Sequence, residues 1–263
     1  MLTFLKLGGS LITDKAGTEA AREDVIARLG GEIRAAHEAN GGLGLLAGHG
    51  SGSFGHNAAE RHGTRQGVAT PEQWRGFAEV AVVAARLNNL VTEAFHAAGL
   101  PVFRVQPSAS ALCRDGVITS MALEPIHAAL AHGLIPLVHG DVAVDEVRGG
   151  TIISTEDVFT YLAKQLRPAR ILLAGDYEGV RDEHGELVRR ITPSTLPALR
   201  AALGGSEQTD VTGGMAAKVE SMLALCESVP GLSIRIFDGR PPGAVHDVLT
   251  RPEFGAGTLL EAD

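Results

Sequence analysis

Several things are scarce in this chain, and each scarcity narrows the field. There are two cysteines in 263 residues, Cys113 and Cys226. They show neither CxxC nor Cys/His ligand spacing, so both are read as buried, reduced thiols and no structural metal is expected. Aromatic residues make up only 4%, with a single tryptophan. No apolar run approaches the roughly 18 residues of a membrane span. The net charge is −8 and no basic run reaches five residues, which argues against nucleic acid as a partner. The segment from Met1 enters a strand-like pattern with no charged leader or cleavage site, so a cytoplasmic protein is expected. Lysine is the least expected shortage: four (Lys6, Lys15, Lys164 and Lys218) stand against 19 arginines. Where arginine supplies nearly all the cations, a retained lysine suits a place that needs a compact ammonium rather than a planar fork.

What is abundant is glycine, 33 residues with no collagen period, against a usual share of about 7%. Tight loops and close backbone approaches would use them. Hydrophobic patterning alternates strand and helix. Strand-like runs are Thr3–Leu7, Leu43–Ala47, Val102–Val105, Leu134–Val138, Ile171–Ala174 and Leu232–Phe237. Helix-like stretches are Glu19–Ala39, Pro71–Ala98, Leu123–His132, Thr155–Leu166, Pro193–Leu203 and Gly213–Ser228. A small hairpin is expected over Val142–Val144 and Gly149–Ile153, and another around Asp182–Gly185. Such alternation predicts an α/β protein, a three-layer αβα sandwich around a mostly parallel central sheet. A seam near Gln165–Arg170 divides it into two lobes of one domain.

In such a sheet, ligands sit beyond the carboxyl ends of the strands, where helix N-termini present N–H groups to anions. The first strand ends in Lys6-Leu7-Gly8-Gly9-Ser10, a segment that can bring amides and an ammonium to a phosphate or can be a plain turn. The second opens into Gly48-His49-Gly50-Ser51-Gly52-Ser53-Phe54-Gly55-His56. Gly50, Gly52 and Gly55 fit the dinucleotide fingerprint. The acidic residue that should end the next strand is replaced by a helix start at Thr70-Pro71-Glu72, so an oxyanion cradle is the better reading. Asp210-Val211-Thr212-Gly213-Gly214-Met215 leads into a helix bearing Lys218, and Ala174-Gly175-Asp176 closes another strand. Glu156 and Asp157 stand at a helix start. They are read either as dipole partners or as carboxylates that orient the lysines. Walker, protein-kinase, nucleophile-elbow and zinc-spacing patterns are all missing. Several glycine-rich anion sites with lysines beside them point to phosphoryl transfer, where positioning and charge neutralisation do most of the catalysis.

These motifs resemble the amino acid kinase superfamily. The resemblance is carried by Lys6–Ser10 through Thr13-Asp14-Lys15, His49–His56, Gln106-Pro107-Ser108, His139-Gly140-Asp141 and Asp210–Lys218, in the family's order over nearly the whole chain. Within the superfamily, the Ser-Phe-Gly-His ending of the glycine loop is similar to the kinases of isopentenyl phosphate. The resemblance implies an ATP- and Mg²⁺-dependent, homodimeric enzyme acting on an isoprenoid monophosphate. Residues about 1–165 would form the acceptor lobe and about 166–263 the ATP lobe. Lys6, Gly8, Gly9, Ser10, Ser51, Asp176, Gly213 and Lys218 would serve ATP, and Lys15 the transition state. Gly50, Gly55, His56 and Thr155 would meet the acceptor, with Lys6, Lys15, His56 and Lys218 as the catalytic group. Phe77, Val80 and Ala84, with Trp74, share one face of the helix from Pro71. That face suits either core or a slot for an apolar tail. The family's Ser-Gly-Asp-Asp is here Ser154-Thr155-Glu156-Asp157. Related superfamily acceptors (a phosphonate such as fosfomycin, a nucleoside monophosphate or an amino acid) and a non-catalytic nucleotide sensor are the alternatives.

Overall fold

The computed structural model describes the backbone of residues 1–14, 16–203 and 214–263, with the side chains of all of these except 56, 57 and 200–203. In chain order the strands are β1 (Leu2–Leu7), β2 (Gly44–His49), β3 (Val102–Arg104), β4 (Leu112–Arg114), β5 (Val117–Ser120), β6 (Ile135–His139), β7 (Asp141–Asp145), β8 (Gly149–Ile153), β9 (Arg170–Gly175), β10 (Arg190–Ile191), β11 (Ser233–Asp238) and β12 (Thr258–Glu261). The helices are α1 (Gly9–Ile12), α2 (Glu23–Ala39), α3 (Gly52–His62), α4 (Pro71–Ala97), α5 (Glu124–Ala131), α6 (Thr155–Leu166), α7 (Leu196–Leu203), α8 (Gly214–Ser228) and α9 (Ala244–Thr250).

Eight strands form the main sheet in the order β10-β12-β11-β9-β1-β2-β6-β3, parallel throughout except where β12 runs against β11. Strands buried on both sides need a helical layer on each. Side-chain alternation sorts β1 accordingly: Phe4 packs with Val158, Phe159 and Leu162 of α6 and with α8. Leu5 and Leu7 pack on the opposite face with α2, α4 and α9. The expected αβα sandwich is therefore the fold. A second sheet, β5-β4-β7-β8, stands beside it. Its β7–β8 hairpin matches the expected one, while β4 and β5, three and four residues long, were not anticipated.

The remaining departures have local causes. Helix α2 starts at Glu23 instead of Glu19 because the chain first folds back in a bridge between Thr13 and Ala21. Helix α7 starts at Leu196 because Thr192–Thr195 closes a turn, with the Thr195 N–H on the Thr192 carbonyl at 3.1 Å. The glycine run after β2, read as a loop, becomes helix α3 from Gly52 onward. The turn at Asp182–Gly185 forms as expected, bridged by Arg181 and Leu187. Both cysteines are buried and unpaired, and burial pushes their thiols up, Cys113 to about 11 and Cys226 to about 12. No helix among the described residues is long and apolar enough to cross a membrane.

Candidate active site

The carboxyl ends of β1, β2 and β9 lie side by side, and their three loops pack backbone against backbone. The Gly8 N–H donates to the Ala174 carbonyl at 2.7 Å, and the Gly50 N–H to the Leu7 carbonyl at 2.9 Å. A Cβ on Gly9 would lie 2.4 Å from the Gly52 nitrogen, and one on Gly50 would lie 2.8 Å from the Gly9 nitrogen. Only glycine permits this approach. Gly52 itself has φ +48 and faces the Thr13 hydroxyl, which accepts from the Ser53 N–H at 3.0 Å. Ser51 precedes α3 as its N-cap, and a Cβ on Gly55 would meet the Ser51 side chain. The wall that results is lined with main-chain amides and is suited to phosphate oxygens.

Lys6 has the same orientation as Phe4, since residues two apart in a strand share a face. Its ammonium therefore emerges on the side of α6 and α8 and pairs with the Glu156 carboxylate. Lys218, reaching in from α8, stands 3.7 Å from the same carboxylate. It also donates to the Tyr177 hydroxyl at 3.2 Å. Burial alone would raise the Glu156 carboxyl, but the ammonium groups of Lys6 and Lys218 outweigh it and hold the group at about 2. Burial, together with Lys218, draws the Lys6 ammonium down, and Glu156 opposes both. One carboxylate thus gathers two cations, one buried and one half-buried, that lie 212 residues apart in sequence, from Lys6 to Lys218. On the β9 side, Ser10 donates to Asp176 at 2.7 Å, joining two residues expected separately at the nucleotide.

Of the two candidate orienting carboxylates, Glu156 meets the lysines and Asp157 caps its own helix. Asp157 accepts from the Ser154 N–H and hydroxyl, both at 2.7 Å, while its own N–H bonds the Ser154 oxygen. This is a capping box. Thr155 is 1% exposed, and its hydroxyl donates to the His49 carbonyl at 2.6 Å, so it latches the end of β2 to α6. Thr155→Val should cost about 1–2 kcal/mol in chemical denaturation. The cost stays modest because the Gly140 N–H still reaches the same carbonyl, at 3.3 Å. An unchanged midpoint would remove the latch.

Val80 and Ala84 are buried, and Val80 forms a small apolar cluster with Ala58 of α3 and Val142 of β7, flanked by Phe77 and Ile152. Trp74 packs edge-on against Phe77 at 5.2 Å. Lys15 and Gly213 lie outside the described residues, as does the His56 side chain, whose backbone lies in α3. Sequence reasoning gave no role to the buried pair His49 and His139, whose rings stack at 5.6 Å at the ends of β2 and β6. A histidine closing each of two adjacent strands was the available signal.

A model of the amino acid kinase family matches residues 1–238. The chain is 32% identical to the isopentenyl phosphate kinase of Methanocaldococcus jannaschii, covering 84% of this chain and 86% of the relative. It is 37% identical to that of Haloferax volcanii, over 85% of this chain and 88% of the relative. A solved isopentenyl phosphate kinase superposes with a TM-score of 0.82 at 28% identity, covering 99% of this chain and all of the other. The chain belongs to the amino acid kinase family.

Proposed function

We propose that this chain transfers the γ-phosphoryl group of ATP to isopentenyl phosphate, releasing isopentenyl diphosphate and ADP. The observation that carries the reading is the convergence of Lys6 and Lys218 on Glu156 beside the glycine wall. Two polyanions must meet in line, and this calls for ammonium groups and fixed amides. A phosphomonoester has its second pKa near 6 and is largely a dianion at neutral pH, so it can attack without a general base. The amide wall and the lysines suit a polyphosphate, and Mg²⁺ carried on the phosphate oxygens would add charge neutralisation. The relatives named above support isopentenyl phosphate as the acceptor.

In this reading, Gly8, Gly9, Ser10, Ser51, Asp176, Gly213 and Lys218 serve ATP, and Lys6 lies between the two substrates. Gly50, Gly55 and His56 take the acceptor phosphate, and Lys15 stabilises the transition state. Phe77 and Val80 border the isoprenoid tail. Residues 1–165 form the acceptor side and 166–263 the nucleotide side of a cytoplasmic homodimer.

ADP release with Mg-ATP, measured over isopentenyl phosphate, dimethylallyl phosphate, fosfomycin, UMP and acetylglutamate, tests the reading. Turnover is expected with the isoprenoid phosphates alone, and turnover confined to another acceptor would replace the substrate. His56→Ala should raise the acceptor KM or lower kcat by about 10²-fold while leaving ATP affinity within twofold of wild type. Unchanged acceptor kinetics would take His56 out of the site.

A further inference from the structure

We propose that Asn88 and His49 form a positioning pair that fixes the Gly50 peptide, and with it the acceptor-side glycine loop, to helix α4. The inference rests on the kinase reading for its consequence but not for its geometry. Alternation along β2 turns Gly48 towards α6 and His49 towards α4. There the His49 ring is 1% exposed. Its Nδ1 lies 3.1 Å from the Gly50 carbonyl oxygen. A carbonyl only accepts, so Nδ1 carries the hydrogen, and Nε2 is left with a lone pair. That lone pair is met by the Asn88 side-chain amide nitrogen at 3.0 Å. Asn88, 2% exposed in the middle of a 27-residue helix, has a reason to be polar.

The anchored peptide is the one that matters for the loop. The Gly50 N–H is held by the Leu7 carbonyl and its C=O by His49. Carbonyl and N–H of one planar peptide unit point in opposite directions. Tying the Gly50 carbonyl down towards α4 therefore aims the Ser51 N–H away from α4. Among the described residues the Ser51 N–H meets no protein acceptor. Ala84, one turn before Asn88 on the same helix face, belongs to the face expected to border the acceptor tail. A single buried hydrogen bond thus links that helix to the glycine loop, whose Ser51 is expected at ATP and whose Gly50 is expected at the acceptor phosphate.

The surroundings keep His49 neutral. Burial, then the stacked His139 of β6 and the Lys6 ammonium of β1, lower it to about 3, against the opposing bond to Gly50. His139 is itself lowered to about 4 by burial and Arg104 of β3, and the Asp141 carboxylate stands 3.6 Å from its Nε2. From α6, Thr155 contributes only the hydroxyl bonded to the His49 carbonyl.

Three variants and one spectrum test the pair. The amide nitrogen of His49→Asn can take the place of Nδ1 and still donate to Gly50, whereas His49→Gln reaches only the Nε2 position. His49→Asn should keep kcat on the acceptor within about fivefold, and His49→Gln should lose about 10²-fold, the usual effect of misplacing a reacting group by about 1 Å. Equal losses would overturn the assignment. In Asn88→Asp a carboxylate faces Nε2 and favours the imidazolium, which still donates to Gly50. As pH rises and the imidazolium loses a proton, the remaining hydrogen sits on Nε2 facing the introduced carboxylate, and the Gly50 anchor is lost. Acceptor kcat/KM of Asn88→Asp should therefore fall with rising pH between pH 5 and 9, relative to a wild-type profile without that ionisation. A parallel profile would sink the proposal, because a merely structural Asn88 predicts a pH-independent loss. The tautomer is read without turnover. Ring ¹⁵N shifts of wild-type His49 at pH 7 should show Nδ1 protonated and Nε2 bare. A proton on Nε2 overturns the pairing whatever the acceptor proves to be, and absent turnover on the whole acceptor panel would count against the kinase reading alone.

Discussion

Lys6→Ala should lower kcat by about 10²–10³-fold, the range seen when a preorganised transition-state donor is removed. ATP affinity should change far less. The size of the effect follows from placement. Lys6 is the penultimate residue of the central strand, locked in register with Gly48 of β2 and Leu173 of β9, so the root of its side chain is fixed. Its side chain is 11% exposed and is held against Glu156. An arginine there would bring a wider, planar head into a space built around a compact ammonium, so Lys6→Arg should recover little of the loss. Steady-state kinetics of the two variants decide it, and an arginine variant at near wild-type kcat would show that charge alone suffices.

The same variant changes acid stability in a defined direction. Glu156 sits at about 2 in the folded protein against 4.5 for the free group. The stability it contributes is therefore complete above about pH 4.5 and is lost as pH falls towards 2. Without Lys6, one of the two cations that depress it is gone, its folded pKa rises, and the contribution shrinks. The acid-unfolding midpoint of Lys6→Ala, followed by circular dichroism, should move to higher pH.

Gly9→Ala should be the most damaging conservative change in the scaffold. The new Cβ would lie 2.4 Å from the Gly52 nitrogen and 2.7 Å from its Cα. Those atoms are backbone, and the residues two before and one after are tied down, Gly50 by the Leu7 carbonyl and Ser53 by the Thr13 hydroxyl. The two loops must separate, at a cost of about 3 kcal/mol or more, roughly 6–12 °C in Tm. Nucleotide affinity should fall with it, because the amide wall opens. Gly31→Ala is the matched control. It lies exposed on α2 with nothing within 4 Å of its would-be Cβ, so it should stabilise by about 0.5–1 kcal/mol through helix propensity. A Gly9→Ala protein that melts within 2 °C of wild type, a margin of about 1 kcal/mol or less, would mean that the loops can part without strain.

These two residues also show what was legible in the sequence. The parallel strands read clearly because they are continuous apolar runs, and their carboxyl ends carry the glycines that mark close approach. The expectation that Lys6, Gly9 and Lys218 belong to a site came from local pattern and from the resemblance it carries. That a carboxylate here orients the lysines was one of two readings, and the convergence of Lys6 and Lys218 on Glu156 in particular depends on how α6 and α8 stack on the sheet. Glu156 and Asp157 are adjacent acids whose roles diverge through helix phase alone: one sits at the third position and closes the capping box, the other faces β1. The bond from the Thr155 hydroxyl to the end of β2 was not legible, because it depends on how α6 packs under that strand. Helix α3 was hidden by composition, since Gly52, Ser53 and Gly55 are poor helix formers that tertiary packing overrides. Strands β4 and β5 were too short to carry a period. The stacking of His49 on His139 was not legible because it depends on β2 and β6 being neighbours in the sheet.

The position of β1 has a consequence for assembly. It is the first strand in sequence, yet it sits in the middle of the main sheet, with β2 on one edge and β9 on the other. A ribosome that has released residues up to Leu166 has supplied β2, β6 and β3 to build one half of the sheet, along with the α6 carboxylate. The other edge of β1, a strand bearing Leu2, Phe4, Leu5 and Leu7, then remains an open ladder until Arg170–Gly175 emerges. An unpaired hydrophobic edge is the kind of surface on which nascent chains associate. Release of chain termini by truncation in the α6–β9 connection should therefore give an aggregating fragment rather than a smaller folded unit.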